Sequence, residues 1–131
     1  MIQQNARRRW KTVSLGAAVV AFFVAAVGGH RLGYYDALRG GMAQNAGHLD
    51  AALVWFGRAY AKNPEAFMVA HDIACCHALK GDQKQCFIWL ETALNSSYGG
   101  FAGTHAKSEK DFASVRETAR FKELLAAGEN R

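Results

Sequence analysis

The sequence predicts an all-α protein in which a single N-terminal transmembrane helix is followed by two helical hairpins and a C-terminal helical cap. Two stretches of the chain match each other at an offset of 34 residues, and a fixed period of this length is typical of stacked helix-turn-helix units. Residues 12–29 contain no charged side chain, as expected of a segment that crosses a bilayer. The 131 residues leave room for one small domain beside such a segment.

The first two predicted segments are a basic tail over residues 1–11 and the transmembrane helix over residues 12–30. At ~1.5 Å per residue, the uncharged part forms a helix roughly 27 Å long, close to the hydrocarbon thickness of a bilayer. Four cationic residues stand in the tail, whereas Arg31 and Arg39 follow the helix. This asymmetry favours a single-pass protein with its N-terminus in the cytoplasm and the hairpins on the periplasmic or extracytoplasmic side.

A cleaved secretory signal is the main alternative for this N-terminal segment. A basic leader, an apolar stretch and the small-residue run Ala26-Val27-Gly28 also suit a signal peptidase. Apolar regions of signal peptides usually run about 7 to 15 residues, and this one is longer. The length therefore favours a segment retained as an uncleaved anchor.

The matched positions of the two stretches carry the residues that packed hairpins need, with small side chains where helices touch and large ones between them. The pairs are Gly40 with Ala74, Gly47 with Gly81, Ala52 with Cys86, Trp55 with Trp89, Phe56 with Leu90, and Ala59 with Ala93. Gly47 and Gly81 fall at the turns, where a left-handed backbone suits glycine. Asp82 is placed to cap the following helix. The predicted helices are Tyr34–Asn45, Leu49–Lys62, Glu65–Leu79 and Gln83–Asn95.

This set of residues resembles the tetratricopeptide repeat family. The matching positions in the first repeat are Gly40, Gly47, Ala52, Phe56, Ala59 and Pro64. The resemblance assigns two such repeats to residues 31–99, although the second lacks the closing proline, and Asp36 and Ala70 stand where a bulky residue is usual. It implies a concave groove. The lysine, arginine and asparagine residues with which such repeats grip a C-terminal carboxylate are largely absent from it, so the expected ligand is an extended or helical protein segment with apolar anchors. The groove residues that it implies are Tyr34, Leu38, Gly41, Gln44, Asn45, Met68, His71, Asp72, Cys75 and Leu79.

The last predicted segment, residues 100–131, consists of a loop and capping helices. Glycine and serine residues predict that the loop spans Ser96–Thr104. The run from Ser108 to Asp111 then predicts a capped helix start. The residues from there to Leu125 resemble the closing segment that often follows the last full repeat in the tetratricopeptide repeat family, which implies a lid over the open apolar end of the array.

The second helix of each hairpin is more apolar than a surface helix should be. On the convex side, the resemblance places Val54, Trp55, Ile88 and Trp89. Two interpretations remain open. These residues form an apolar interface that docks on a partner subunit, another copy or a membrane complex, or the two tryptophans fold over the small core and are only partly exposed.

Composition and motifs argue against several classes of function. Four of the sixteen Lys and Arg residues precede residue 12, so the rest of the chain, with its eleven Asp and Glu residues, has a net charge of 12 − 11 = +1. The repeat region also has no cluster of basic residues of the kind that nucleic-acid binding requires. No catalytic motif is present, so we expect no enzyme, no catalytic residue and no small-molecule substrate.

The histidines and cysteines do not predict a metal site or a cofactor. His71 and Cys75 share a helix face, but two ligands are too few for structural zinc. In an oxidising compartment, Cys86 could form a disulfide with Cys75 or Cys76; the sequence leaves this choice open.

The predicted function is that of a non-enzymatic, membrane-tethered module that recruits or scaffolds a protein partner, such as a membrane complex or a peptide segment of one. The alternative is a small permanent accessory subunit of a membrane complex, docked through its apolar helices. A secreted repeat protein with a cleaved signal is the third hypothesis.

Overall fold

The computed structural model describes residues 22–129, and every regular element within that range is helical. This confirms the all-α prediction. The elements are α1 (22–31), α2 (Tyr34–Asn45), α3 (Leu49–Lys62), α4 (Phe67–Leu79), α5 (Gln83–Leu94), α6 (Gly99–Ser108), a 3₁₀ helix (Lys110–Phe112) and α7 (Ala119–Glu129). The bounds of α2 and α3 are those that the sequence predicts.

Within residues 22–129, no helix combines the length and the apolar character that crossing a bilayer requires. The predicted tail over residues 1–11 lies outside the described residues. Of the predicted transmembrane helix over residues 12–30, only the end that forms α1 is described. The transmembrane helix therefore stays a prediction.

Helices α2 and α3 form one hairpin, and α4 and α5 form the next, which packs beside it. Gly47 and Gly81 close the first helix of each hairpin with φ angles of 79° and 78°, in the left-handed region that favours glycine. The Asp82 carboxylate accepts a hydrogen bond from the Gln85 backbone N–H at 3.1 Å and so caps α5. The predicted turn and cap are thus confirmed.

Helix α4 begins at Phe67, two residues later than predicted, and Pro64 and Glu65 lie in a turn before it. In this turn, the Ala66 N–H donates to the Asn63 carbonyl at 3.1 Å, and the Phe67 N–H donates to the Glu65 carbonyl at 2.9 Å. These hydrogen bonds hold residues 63–67 in a tight turn. Helix α4 therefore starts only after this turn is complete.

The prediction of a loop over Ser96–Thr104 is wrong from Gly99 onward, because α6 begins there. A Cβ at Gly99 would lie 2.0 Å from the Leu94 carbonyl oxygen, so α6 starts where the backbone approaches the end of α5 too closely for any side chain. Ala102, Gly103 and Ala106 are buried. The small residues here allow a helix to pack closely against its neighbours. Their composition predicts a loop instead.

The predicted helix start at Ser108 is also wrong, because Ser108 ends α6 and only a single 3₁₀ turn follows. The Glu109 carboxylate accepts from the Asp111 N–H at 3.3 Å and caps that turn. The closing helix α7 starts later, where the Thr118 hydroxyl accepts from the Phe121 N–H at 3.3 Å.

The core has two parts that meet between the hairpins. One centres on Phe56, Ile73 and Cys76, and the other on Leu90, Phe112 and Phe121. The Tyr60 and Trp89 rings pack edge to face between the two parts, with centroids 5.0 Å apart. Helices α6 and α7 pack against α5 and cover the second hairpin. The result is a continuous, helical-repeat-like all-α fold.

A half-buried ion pair closes the first hairpin. Lys62 Nζ, at the end of α3, donates to Asp36 Oδ2, in the first turn of α2, at 2.6 Å, and the Asp36 side chain is only 12% exposed. This hydrogen bond from Lys62 lowers the pKa of Asp36 below its ordinary value of 3.8, although burial opposes the effect. The pair therefore stabilises the folded chain above the unfolded-state pKa of the carboxyl and is lost as the pH falls through the lower, folded-state pKa.

Replacing this carboxylate in Asp36→Asn is expected to cost about 1.5–3 kcal/mol of unfolding free energy at neutral pH, the range for a hydrogen bond to a charged group. The loss should begin to shrink as the pH falls below about 4, because the carboxyl of the unfolded wild-type chain then takes up a proton, and it should vanish below the lower, folded-state pKa of Asp36. Urea unfolding at neutral pH and at a pH below about 4 measures this loss of unfolding free energy. Asp50→Asn is the control, since Asp50 also pairs with a lysine, Lys80, but its side chain is 87% exposed. A loss that stays unchanged in acid would contradict this account.

Candidate partner-binding groove

A cleft of about 480 Å³ lies between α1, the first half of α2 and the start of α4. Three residues of the predicted groove line it, namely Tyr34, Met68 and Asp72. The sequence did not predict the contributions of Leu32, in the turn after α1, and Asn63, in the turn before α4. The cleft therefore combines one end of the predicted groove with the segment that precedes the hairpins.

One face of α2 continues from this cleft as an exposed apolar row. Tyr34, Leu38 and Met42 are 68%, 54% and 65% exposed, and their spacing of four residues places them on one side of the helix. Met42 was not among the predicted residues, although the same spacing identifies it. Exposed apolar side chains in a row beside a cleft are typical of a surface that binds another chain.

The far end of the groove meets the C-terminal part of the chain. Gln44 Nε2 donates to Asp111 Oδ2 at 2.9 Å, across 67 residues of sequence. Asn45 is exposed at the last position of α2, Gly41 is half-buried, and Leu79 is 48% exposed at the end of α4. The 3₁₀ helix thus bounds the far end of the groove, and the apolar face of α2 stays exposed.

His71 and Cys75 lie in the interior, each 1% exposed. The His71 ring packs edge to face on the rings of His105 and Phe112, at centroid distances of 5.4 Å and 5.3 Å. A partner could touch His71 or Cys75 only after displacing the 3₁₀ helix and α6. The open part of the groove, next to the cleft, is therefore the stronger candidate for binding.

All three thiols are free and buried, so the structure contains no disulfide between Cys86 and Cys75 or Cys76. Burial raises the pKa of Cys76 and of Cys86 to about 12. Burial also raises the pKa of Cys75, and the nearby carboxylates of Asp72, Glu109 and Asp111 add to this effect. Cys75 Sγ lies 3.7 Å from His71 Nδ1. Within residues 22–129, no group of three or more His, Cys, Asp or Glu side chains is arranged to hold a metal ion.

The same three carboxylates give the groove a negative rim. Among the described residues, the ion pairs of Asp72, Glu109 and Asp111 include no lysine or arginine; Asp72 lies 3.7 Å from His71 Nδ1, and Asp111 is held by Gln44. Asp72 also lines the cleft. Acidic groups that have no lysine or arginine partner among residues 22–129 therefore stand beside the apolar row of α2.

Of the four residues predicted on the convex side, the two aliphatic ones are exposed and the two tryptophans are half-buried. Val54 and Ile88, which occupy equivalent positions in the two hairpins, are 56% and 48% exposed. Trp89 is half-buried and packs against both parts of the core. Trp55 is also half-buried, and the guanidinium carbons of two arginines lie 4.8 Å from its ring centroid.

The chain matches no protein-family model, no curated protein and no solved structure. The resemblance to tetratricopeptide repeats thus stays a prediction from the sequence.

Proposed function

We propose that this protein is a non-enzymatic, membrane-tethered interaction module that holds a segment of a partner protein in the groove formed by α2 and the start of α4. The observation that carries the proposal is the exposed apolar row of Tyr34, Leu38 and Met42, which continues directly from a cleft of about 480 Å³. Such a row of anchors at intervals of four residues suits an apolar segment laid along a helix.

The tether in this proposal is the apolar segment that ends in α1. Phe22, Phe23, Val24 and Val27 are 73%, 65%, 67% and 53% exposed, so the hairpins leave these side chains uncovered. The uncharged sequence continues upstream to residue 12. A bilayer would cover such side chains on every side of the helix, and the charge asymmetry favours the repeats on the periplasmic or extracytoplasmic side.

The chemistry of the groove also indicates the kind of segment that fits. Leu38 and Met42 offer apolar contacts, whereas Asp72, Glu109 and Asp111 offer negative charge without a lysine or arginine partner among residues 22–129. A helical or extended segment with apolar anchors and at least one basic residue complements both features. We propose that it belongs to a membrane complex, because the cleft adjoins the end of α1.

The groove is tested by purifying the tagged full chain from gently solubilised membranes and identifying the proteins that accompany it. Leu38→Glu is expected to weaken retention of the partner about 10- to 100-fold, since a buried leucine side chain contributes about 1.5–3 kcal/mol. Val54→Glu, at a residue that is equally exposed but lies outside the groove, is the matched control and should retain the partner. Retention in both variants would overturn the groove proposal.

The second candidate function is that of a permanent accessory subunit, and the exposure of Val54 and Ile88 at equivalent positions favours it. In that case Val54→Glu loses the partner and Leu38→Glu keeps it. Truncation to residues 31–131 also separates the two functions. A recruiting module should stay monodisperse, whereas a permanent subunit should aggregate once its companions are missing.

A further inference from the structure

We infer that Arg39, Trp55 and Arg58 form a binding site for the phosphate groups of anionic lipids. Arg39 belongs to α2, and the other two residues lie on α3. The guanidinium carbon of each arginine is 4.8 Å from the centroid of the Trp55 ring. The two carbons are therefore separated by no more than twice this distance. We call these three residues the paired-arginine site.

The charge of this site is not neutralised within the part of the chain that the structure describes. Arg39 and Arg58 are both exposed, and neither forms an ion pair among residues 22–129. The nearby carboxylate of Asp36 is held by Lys62 at 2.6 Å. Three cations thus accompany one carboxylate, which leaves a local charge of 3 − 1 = +2.

The chemistry of the paired-arginine site suits an oxyanion. The indole of Trp55 attracts both guanidinium groups through its π-face and orders them. Each guanidinium presents a planar fork of N–H donors that matches phosphate in a bidentate manner. A phosphate between or beside the two arginines would also relieve the repulsion between them.

The position of the site indicates lipid as the source of phosphate, and this step rests on the proposed membrane tether. Arg39 lies five residues after Tyr34, about 8 Å along α2 from the end nearest α1. The Lys62–Asp36 pair holds the end of α3 beside the start of α2, and Arg58 is one turn before Lys62. Arg39 and Arg58 therefore lie about 6–8 Å, measured along their helices, from the hairpin end that adjoins α1, and this length is comparable to one Debye length of 8–10 Å.

The test uses the full chain, reconstituted in vesicles of phosphatidylcholine with an increasing fraction of phosphatidylglycerol. Trp10→Phe and Trp89→Phe leave Trp55 as the sole indole of the three in the chain. The Trp55 emission is expected to change with phosphatidylglycerol and to be quenched by brominated phosphatidylglycerol. In Arg39→Gln and Arg58→Gln, the fraction needed for half of the change should rise about fivefold for each arginine, the factor that corresponds to ~1 kcal/mol per basic residue near an anionic surface.

The matched control is the double variant Lys84→Gln and Lys110→Gln, which removes two exposed cations from α5 and the 3₁₀ helix. It should behave like the parent chain. An equal effect of the control, or no dependence on phosphatidylglycerol, would overturn the inference. A response to inorganic phosphate alone, or to an acidic peptide but not to anionic vesicles, would likewise overturn the assignment to lipid.

Extraction with alkaline carbonate separates this inference from the proposed function. A chain that stays in the vesicles but shows no preference for anionic lipid retains its tether and lacks the headgroup site. A chain that carbonate releases has no transmembrane tether, and the paired-arginine site is then tested by sedimenting the released chain with anionic vesicles. Sedimentation that requires both arginines supports the site, and sedimentation that does not require them contradicts it.

Discussion

Phe112→Ala is expected to lower the unfolding free energy by about 3–5 kcal/mol, the usual cost of truncating a buried phenylalanine. Phe112 is 0% exposed and comes from the 3₁₀ helix. Its ring lies 5.3 Å from His71, on α4, and 5.5 Å from Phe121, on α7. Because one side chain joins three elements, its loss leaves a cavity beneath the whole C-terminal cover. Thermal unfolding of the full chain in mild detergent, followed by circular dichroism, measures the loss.

A second measurement tests whether the C-terminal cover, formed by α6, the 3₁₀ helix and α7, still closes over the second hairpin. Cys75 lies beneath the 3₁₀ helix, 1% exposed, and burial raises the pKa of its thiol. Both features slow alkylation in the folded wild-type chain, and Phe112→Ala should accelerate it at Cys75. Phe101→Ala is the control, since Phe101 is 70% exposed and should change the stability by less than about 0.5 kcal/mol. Equal losses in the two variants would show that Phe112 does not hold the cover.

The first hairpin is the part of the fold that local sequence predicts best. Its ends depend on Gly47 and on the periodicity of apolar residues, and these signals act within a few residues. Helix α6 was missed because glycine disfavours helix in isolation by about 1 kcal/mol per residue. Packing of Ala102 and Ala106, both 0% exposed, against the rest of the fold offsets this preference. Such a tertiary contribution is not visible in a single window of sequence.

The candidate site also combines features that the sequence predicts with features that depend on contacts between distant residues. The resemblance to tetratricopeptide repeats implies that Tyr34 and Met68 are groove residues, and both line the cleft. The burial of His71 depends on Phe112, which lies 41 residues further along the chain (112 − 71) and folds back onto α4. The pairing of two arginines with Trp55 likewise requires the geometry of the α2–α3 hairpin. The sequence left open whether Trp55 docks a partner or folds over the core, and it gave no sign of the charge around this residue.

Gly33→Ala is expected to destabilise the junction between α1 and the first hairpin by about 2–5 kcal/mol, because two costs combine. Gly33 has a φ of 73°, which an alanine adopts only with strain. A Cβ at this position would also lie 2.7 Å from the carbonyl oxygen and 2.8 Å from the Cα of Ala59, and both are backbone atoms that cannot rotate away. The first turn of α2 must therefore move away from the last turn of α3.

Gly47→Ala isolates the first of these costs. Gly47 has a φ of 79°, but a Cβ there would meet no atom within 4 Å, so only the backbone strain of about 1–2 kcal/mol applies. Urea unfolding of both variants measures the difference. Because Gly33 also lines the cleft, Gly33→Ala should weaken retention of the partner, whereas Gly47→Ala should not. Equal losses of stability in the two variants would mean that α2 shifts freely relative to α3, and the cleft would then lack the fixed wall on which binding depends.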